Sequence, residues 1–228
     1  MSLTATVLTD QAGVLLNVNF RTVGPGTELS AIVQRHYTLD GVVHDEFVRG
    51  GNPLNLLLEQ SIIYDFEAPL NVPITYTAVG YTDAAATTPS TAPTQTAGPV
   101  TITSTGLVWF KDPARPWANI AVDFCPDPSS PPDGSCAFQP GVSMVAFGDE
   151  TRRGDVSLFD ILHRERPSDV YARRKDVETS MTFASRTCEA IDDIYELFTA
   201  GGPLFIQAPP EYCWPDRYVQ PLDLKEAR

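Results

Sequence analysis

The stretch Ser61-Ile62-Ile63-Tyr64-Asp65-Phe66-Glu67-Ala68-Pro69 runs through Leu70 and Asn71 into Val72-Pro73-Ile74-Thr75-Tyr76-Thr77-Ala78-Val79-Gly80-Tyr81. Two runs of β-branched and aromatic residues flank a proline-containing corner, which is the pattern of consecutive strands. A tyrosine just inside the second run suggests a tyrosine corner, the device that pins such a crossing in β-sandwiches. Working outward, Val14, Leu16, Val18 and Phe20 alternate with Leu15, Asn17 and Asn19, the period of a half-buried strand. Ala31 to Thr38 reads as another strand, and Asp40-Gly41 as the hairpin turn before Val42-Val43. Gly24-Pro25-Gly26 and Gly50-Gly51-Asn52-Pro53 break the chain. Residues 83–99 are mostly Thr, Ala and Pro and read as a mobile loop. Six or seven short strands in the first ~105 residues predict an immunoglobulin- or fibronectin-like sandwich over residues 1–108.

The rest of the 228 residues has a different character. Phe110-Lys111-Asp112-Pro113-Ala114-Arg115-Pro116-Trp117 reads as a proline-stiffened connection over 109–119, with Trp109 and Trp117 packing it onto a neighbouring domain. Residues 120–228 predict a β-rich domain with one helix at 187–200. Thr187 is its N-cap, Glu189 lies in its first turn, and Ile191, Ile194, Tyr195 and Phe198 form its apolar stripe. Gly201-Gly202-Pro203 ends it. Val142 to Phe147 reads as a strand, and Val156 to Leu162 with Glu178 to Ser185 as a strand pair. Leu204 to Gln207 and Asp216 to Val219 read as two more strands. The expected fold class is mainly β: an N-terminal sandwich, then a β-rich domain with a single helix.

Composition narrows the function. Sixteen Lys and Arg against 29 Asp and Glu give a formal charge of −13. A surface so acidic disfavours nucleic acid and anionic membranes as partners. No apolar run approaches the ~20 residues of a membrane-spanning helix, and no secretory signal is visible. Cys125, Cys136, Cys188 and Cys213 form no CxxC pair, which argues against a zinc site. Cys125 and Cys136 bracket a proline-rich loop and could close a disulfide or stay free thiols. Cys188 and Cys213 read as core or near-core thiols. Asp123, Asp127 and Asp133 lack the spacing of a calcium loop.

Catalytic signatures such as GxSxG, HExxH, the phosphate-binding loop and GxGxxG do not occur in the sequence. His36, His44 and His163 read as surface or structural residues. Asp65 and Glu67 share one face of a strand, as a glycosidase pair would, but charges blocking an exposed sheet edge are the expected reading. The chain therefore reads as a non-enzyme without a cofactor. Arg164, Arg166, Arg173, Arg174 and Lys175 concentrate positive charge and are candidate contacts to an acidic neighbour, such as another copy of this chain. Arg153-Gly154-Asp155 matches an adhesion tripeptide too short to carry weight.

Several of these stretches resemble a known family. Asp65-Phe66-Glu67-Ala68-Pro69-Leu70-Asn71-Val72-Pro73-Ile74-Thr75-Tyr76 is similar to the D-Y-E-A-P-L-G-V-P-V-T-Y segment of minor tail proteins from actinobacterial siphophages and prophages. Val108-Trp109-Phe110-Lys111-Asp112-Pro113, followed by Arg115-Pro116, resembles the connector after it. Gly202 to Gln207, Pro210-Glu211-Tyr212 and Pro215 to Val219 resemble its C-terminal part. The resemblance spans roughly residues 55–120 and 140–225. It implies a fibronectin-like domain joined to a distal-tail- or tube-type domain, in a structural virion protein near the tail tip. The implied partners are the tail tube, the tail-tip hub, copies of the same chain in a ring and the host surface. It also implies assembly in the host cytoplasm, and no catalytic residues. The alternative reading is a carbohydrate- or cell-wall-binding module, with Tyr212 and Trp214 as candidate stacking residues.

Overall fold

In the computed structural model the described residues are 1–21, 27–104, 106–124, 142–147, 151–152, 156–159, 168–171, 177–185, 187–210 and 216–221. The fold is mainly β with one helix. The chain divides into two compact units, Met1–Val122 with Thr187–Arg228, and Asp123–Arg186.

The first unit opens with a sandwich. Strands β1 (Ser2–Leu8), β2 (Gly13–Asn19) and β6 (Gln60–Asp65) form an antiparallel sheet in the order β1-β2-β6. Strands β3 (Ser30–Leu39), β4 (Val42–Phe47), β7 (Ile74–Tyr81) and β8 (Gln95–Val100) form the other, ordered β4-β3-β7-β8, with β5 (Leu54–Asn55) pairing β3. This division is that of the sandwich expected from the sequence. The alternation is realised directly: Val14, Leu16, Val18 and Phe20 are fully buried, as are Ile74, Tyr76 and Ala78. Asp40 and Gly41 both take positive φ, as the tight β3–β4 turn requires.

Residues 83–99 differ from the expected loop. Asp83 accepts from the backbone N–H groups of Ala85, Thr87 and Thr88, and so organises the turn after β7. The chain then enters β8, where Ala97 lies opposite Tyr76. Pairing with β7 imposes a strand on residues of weak intrinsic preference.

The expected connection at 109–119 is instead two strands, β9 (Leu107–Asp112) and β10 (Arg115–Phe124), joined at Pro113-Ala114. Asp112 closes that turn, accepting from Ala114 N at 2.8 Å and pairing with Arg115 at 2.7 Å. The boundaries at 108 and 120 therefore do not coincide with the division of the chain, which falls at 122 and 187.

The second unit contains three antiparallel ladders. Strand β11 (Val142–Phe147) pairs with β16 (Met181–Ser185), β12 (Thr151–Arg152) with β15 (Val177–Glu178), and β13 (Val156–Phe159) with β14 (Ser168–Tyr171). Each ladder is nested inside the one before it. The expected pairing of Val156–Leu162 with Glu178–Ser185 is thus replaced: β13 pairs with β14, Glu178 belongs to β15, which pairs with β12, and Met181–Ser185 pairs with β11.

The chain returns to the first unit as α1 (Cys188–Thr199), β17 (Leu204–Gln207) and β18 (Arg217–Val219). Thr187 caps the helix by accepting from Ala190 N. Ile194 and Leu197 are its buried residues, so the packed face includes Leu197 beyond the expected stripe. Cys188 is exposed rather than near the core, because it sits in the first turn, away from that face. Strand β17 lies between β9 and β18, Phe205 opposite Lys111 and Ile206 opposite Arg217. Strand β9 is buried on both faces. Phe110 meets Phe198 of α1, while Trp109 joins the sandwich core.

Candidate functional site: two buried cations and the residues around them

Arg35 lies in phase with the inward-facing Ala31 and Val33 of β3 and is itself buried. Its neighbours across the sheet are Glu46 on β4 and Tyr76 on β7. Asp65 shares the inward parity of Ile63 on β6, so it points between the two sheets and is 1% exposed. Arg35 donates to Asp65 at 2.8 Å and to Glu46 at 2.6 Å; the Tyr76 hydroxyl donates to the other Asp65 oxygen at 3.0 Å. Burial alone would lower the Arg35 pKa, but Asp65, Glu46 and Glu67 outweigh it and hold the guanidinium charged. Burial pushes the Asp65 carboxyl up, with Arg35 and the Tyr76 hydroxyl pulling it back.

Two expectations change here. Asp65 is no edge guard: β6 is an edge strand, but the period of two turns this carboxylate inward. Tyr76 is no tyrosine corner of the usual kind, because its hydroxyl serves a carboxylate and not upstream backbone. Glu67 pairs at the rim with Arg49 at 2.7 Å and accepts from the Tyr218 hydroxyl. The Arg49 guanidinium sits 5.0 Å from the Tyr218 ring centre.

The second cation is Lys111, which is 0% exposed. On β9 it shares the parity of Trp109 and so faces the sandwich. Its ammonium donates to Ala12 O at 2.6 Å, Phe66 O at 2.8 Å and Gln207 Oε1 at 2.6 Å. All three donors are satisfied, yet every acceptor is formally neutral. Burial therefore lowers its pKa to about 7, and the more distant Asp216, Asp65 and Glu67 offset only part of the loss. Gln207 is also fully buried. Its Nε2 donates to Ala68 O and to Asp216 Oδ2, both at 3.0 Å. Asp216 also accepts from Ala208 N at 3.3 Å, and desolvation raises its pKa against these bonds.

The three stretches that carry the family resemblance thus meet at one place. Phe66 and Ala68 come from the first, Lys111 from the second, and Gln207 and Asp216 from the third. Trp109 adds a bond from Nε1 to Ser104 Oγ at 3.0 Å. It is part of the sandwich core rather than packing for a linker.

The residues singled out for binding lie elsewhere. Arg164 and Arg166 fall between β13 and β14, and Arg173, Arg174 and Lys175 between β14 and β15; all five lie outside the described residues, as do Tyr212, Trp214, Cys125, Cys136, Cys213 and His163. The Trp117 side chain lies outside the description too. His36 bridges Asp45 at 2.6 Å and Thr77 at 2.7 Å, and His44 stacks on Tyr37 with ring centres 4.7 Å apart. Among the described residues no cluster of His, Cys, Asp and Glu could hold a metal ion, and no helix is long and apolar enough to cross a membrane.

Lys111 escaped the sequence reading because only its parity with Trp109 hints that it points inward. Its acceptors at residues 12, 66 and 207 have no local signature. Compared with known proteins, the chain matches no family model, no curated protein and no solved structure.

Proposed function

We propose that this chain is a structural component of a phage tail, a minor tail protein near the tip that builds a ring through protein–protein contacts. The convergence of the three family-like stretches on the Lys111 cluster carries this reading. It makes them parts of one folded unit, as an architectural role requires.

Two further features support assembly. Edge strand β4 exposes Val42, Val43 and Phe47, and the turn into β6 exposes Leu57 and Leu58 together with Ile62 on that strand. Apolar side chains grouped at sheet edges suit a protein covered by neighbours. In sequence the basic residues at 164–175 lie on either side of β14, and the net charge of −13 on the whole chain offers them an acidic partner in a second copy. Head-to-tail contacts of this kind close into rings.

Light scattering on the purified protein over a range of concentrations tests the reading. It predicts a discrete closed oligomer, lost when Arg173 and Arg174 are both changed to Glu. A strict monomer that sediments with cell-wall fragments, and loses that binding on Trp214→Ala, would replace it with the adhesion module.

A further inference from the structure

The Lys111 cluster has the composition of a reaction site as well as of a joint. An amine and a carboxamide lie in contact inside the protein, and the carboxyl group of Asp216, on the exposed side, meets the other end of the carboxamide. Lys111 Nζ is 2.6 Å from Gln207 Oε1. With a C=O bond of about 1.23 Å, Nζ lies no more than about 3.8 Å from the Gln207 carboxamide carbon. Asp216 holds the Nε2 that would have to leave.

The geometry points to an intramolecular isopeptide bond: Lys111 Nζ attacks Gln207 Cδ, with Asp216 as the acid that assists departure of ammonia. This activity goes beyond the role proposed above and does not depend on it.

The ammonium first gives one proton to base in the mildly alkaline solution, and its surroundings favour that. No carboxylate touches it, and burial weakens its hold on the charge. The neutral amine keeps two N–H bonds, to Ala12 O and Phe66 O. The third tetrahedral position, which donates to Gln207 Oε1 in the structure, becomes the lone pair, and attack needs it to swing from Oε1 onto Cδ. Attack forms the Nζ–Cδ bond and places negative charge on Oε1. The Asp216 carboxylate, in contact with Nε2, takes the proton released from the attacking Nζ and passes it to Nε2; the Cδ–Nε2 bond breaks, ammonia leaves, and Asp216 is again a carboxylate. The balance is an amine plus a primary amide giving a secondary amide plus ammonia, with no oxidant, reductant or cofactor. Burial helps by keeping out water that would compete for the carbonyl, and the fixed contacts replace a bimolecular encounter. The product ties β9 to β17 covalently, a cross-link suited to a chain that bears load.

Intact-mass spectrometry of the full-length protein, held folded at mildly alkaline pH, tests the inference. The expected mass is that of the chain less one ammonia, and proteolysis should release a branched peptide joining Lys111 to Gln207. Lys111→Arg and Asp216→Asn should keep the full mass over the same time while circular dichroism shows them folded. Asp216→Asn covers the case in which Lys111→Arg does not fold. Three results would each overturn the proposal: a folded wild-type chain that keeps its full mass, an ammonia loss that maps elsewhere, or an Asp216→Asn chain that links as fast as wild type.

Discussion

The two buried cations are in opposite circumstances. Arg35 meets Asp65 and Glu46, so the attraction of full charges outweighs desolvation and the guanidinium is held in its ionised form. Lys111 meets only carbonyl and amide oxygens, so each N–H is satisfied while the charge itself is not. The difference separates two functions of a hydrogen bond. Satisfying donors fixes geometry, whereas balancing charge fixes protonation state. The interior of the sandwich uses a permanent ion; the join between the sandwich and β9–β17 uses a group that can become a nucleophile.

The largest effect should come from unbalancing the permanent ion. Asp65→Ala leaves Arg35 buried with its main counter-charge gone and should cost about 3–5 kcal/mol. The double change Arg35→Met with Asp65→Leu should recover most of that loss, since it removes both charges. Urea midpoints of the three proteins decide between charge imbalance and lost packing.

Lys111→Met, made in a chain kept unlinked by Asp216→Asn, is the matching change at the join and should cost less, about 2 kcal/mol. It strands three acceptors but also removes an uncompensated charge. Its pH profile sharpens the comparison. In an unlinked chain such as Asp216→Asn, the folded Lys111 binds its proton more weakly than the unfolded one. Stability should therefore rise from about pH 7 towards the ordinary lysine value of about 10.4. Adding Lys111→Met to that chain should flatten this rise, as thermal unfolding across the range would show.

Trp109→Phe keeps the ring in the core but removes the bond to Ser104, for about 1 kcal/mol. Smallest is Thr187→Ala, which removes the N-cap and should cost about 0.5–1 kcal/mol by the same denaturation assay.

What could be read from the sequence follows the same division between local and distant causes. Val14 to Phe20, Asp40-Gly41 and the Thr187 cap declare themselves because alternation, turn chemistry and capping act over a few residues. Strand β8 does not, because Ala97, Gly98 and Pro99 have little strand preference and the segment depends on β7 for it. Pro113 and Pro116 resemble linker residues, yet Pro113 occupies a turn between paired strands. Of the nested ladders, β11, β13 and β16 are legible as strands and β12 and β14 are not, and no partner is legible, since pairing is not a local property. The same holds for the site. Asp65 and Tyr76 were noticed, but Arg35 as their partner was not, and neither was the meeting of Lys111, Gln207 and Asp216.

The central claim is that Lys111 is held as an uncompensated amine against a carboxamide. Heteronuclear NMR of the protein labelled at lysine Nζ tests it most directly. In wild type the Lys111 nitrogen should appear as an amide correlated with Gln207 Cδ, and in Asp216→Asn it should titrate well below the ordinary lysine value. A Lys111 ammonium that titrates at the ordinary value of about 10.4 in both proteins would contradict it.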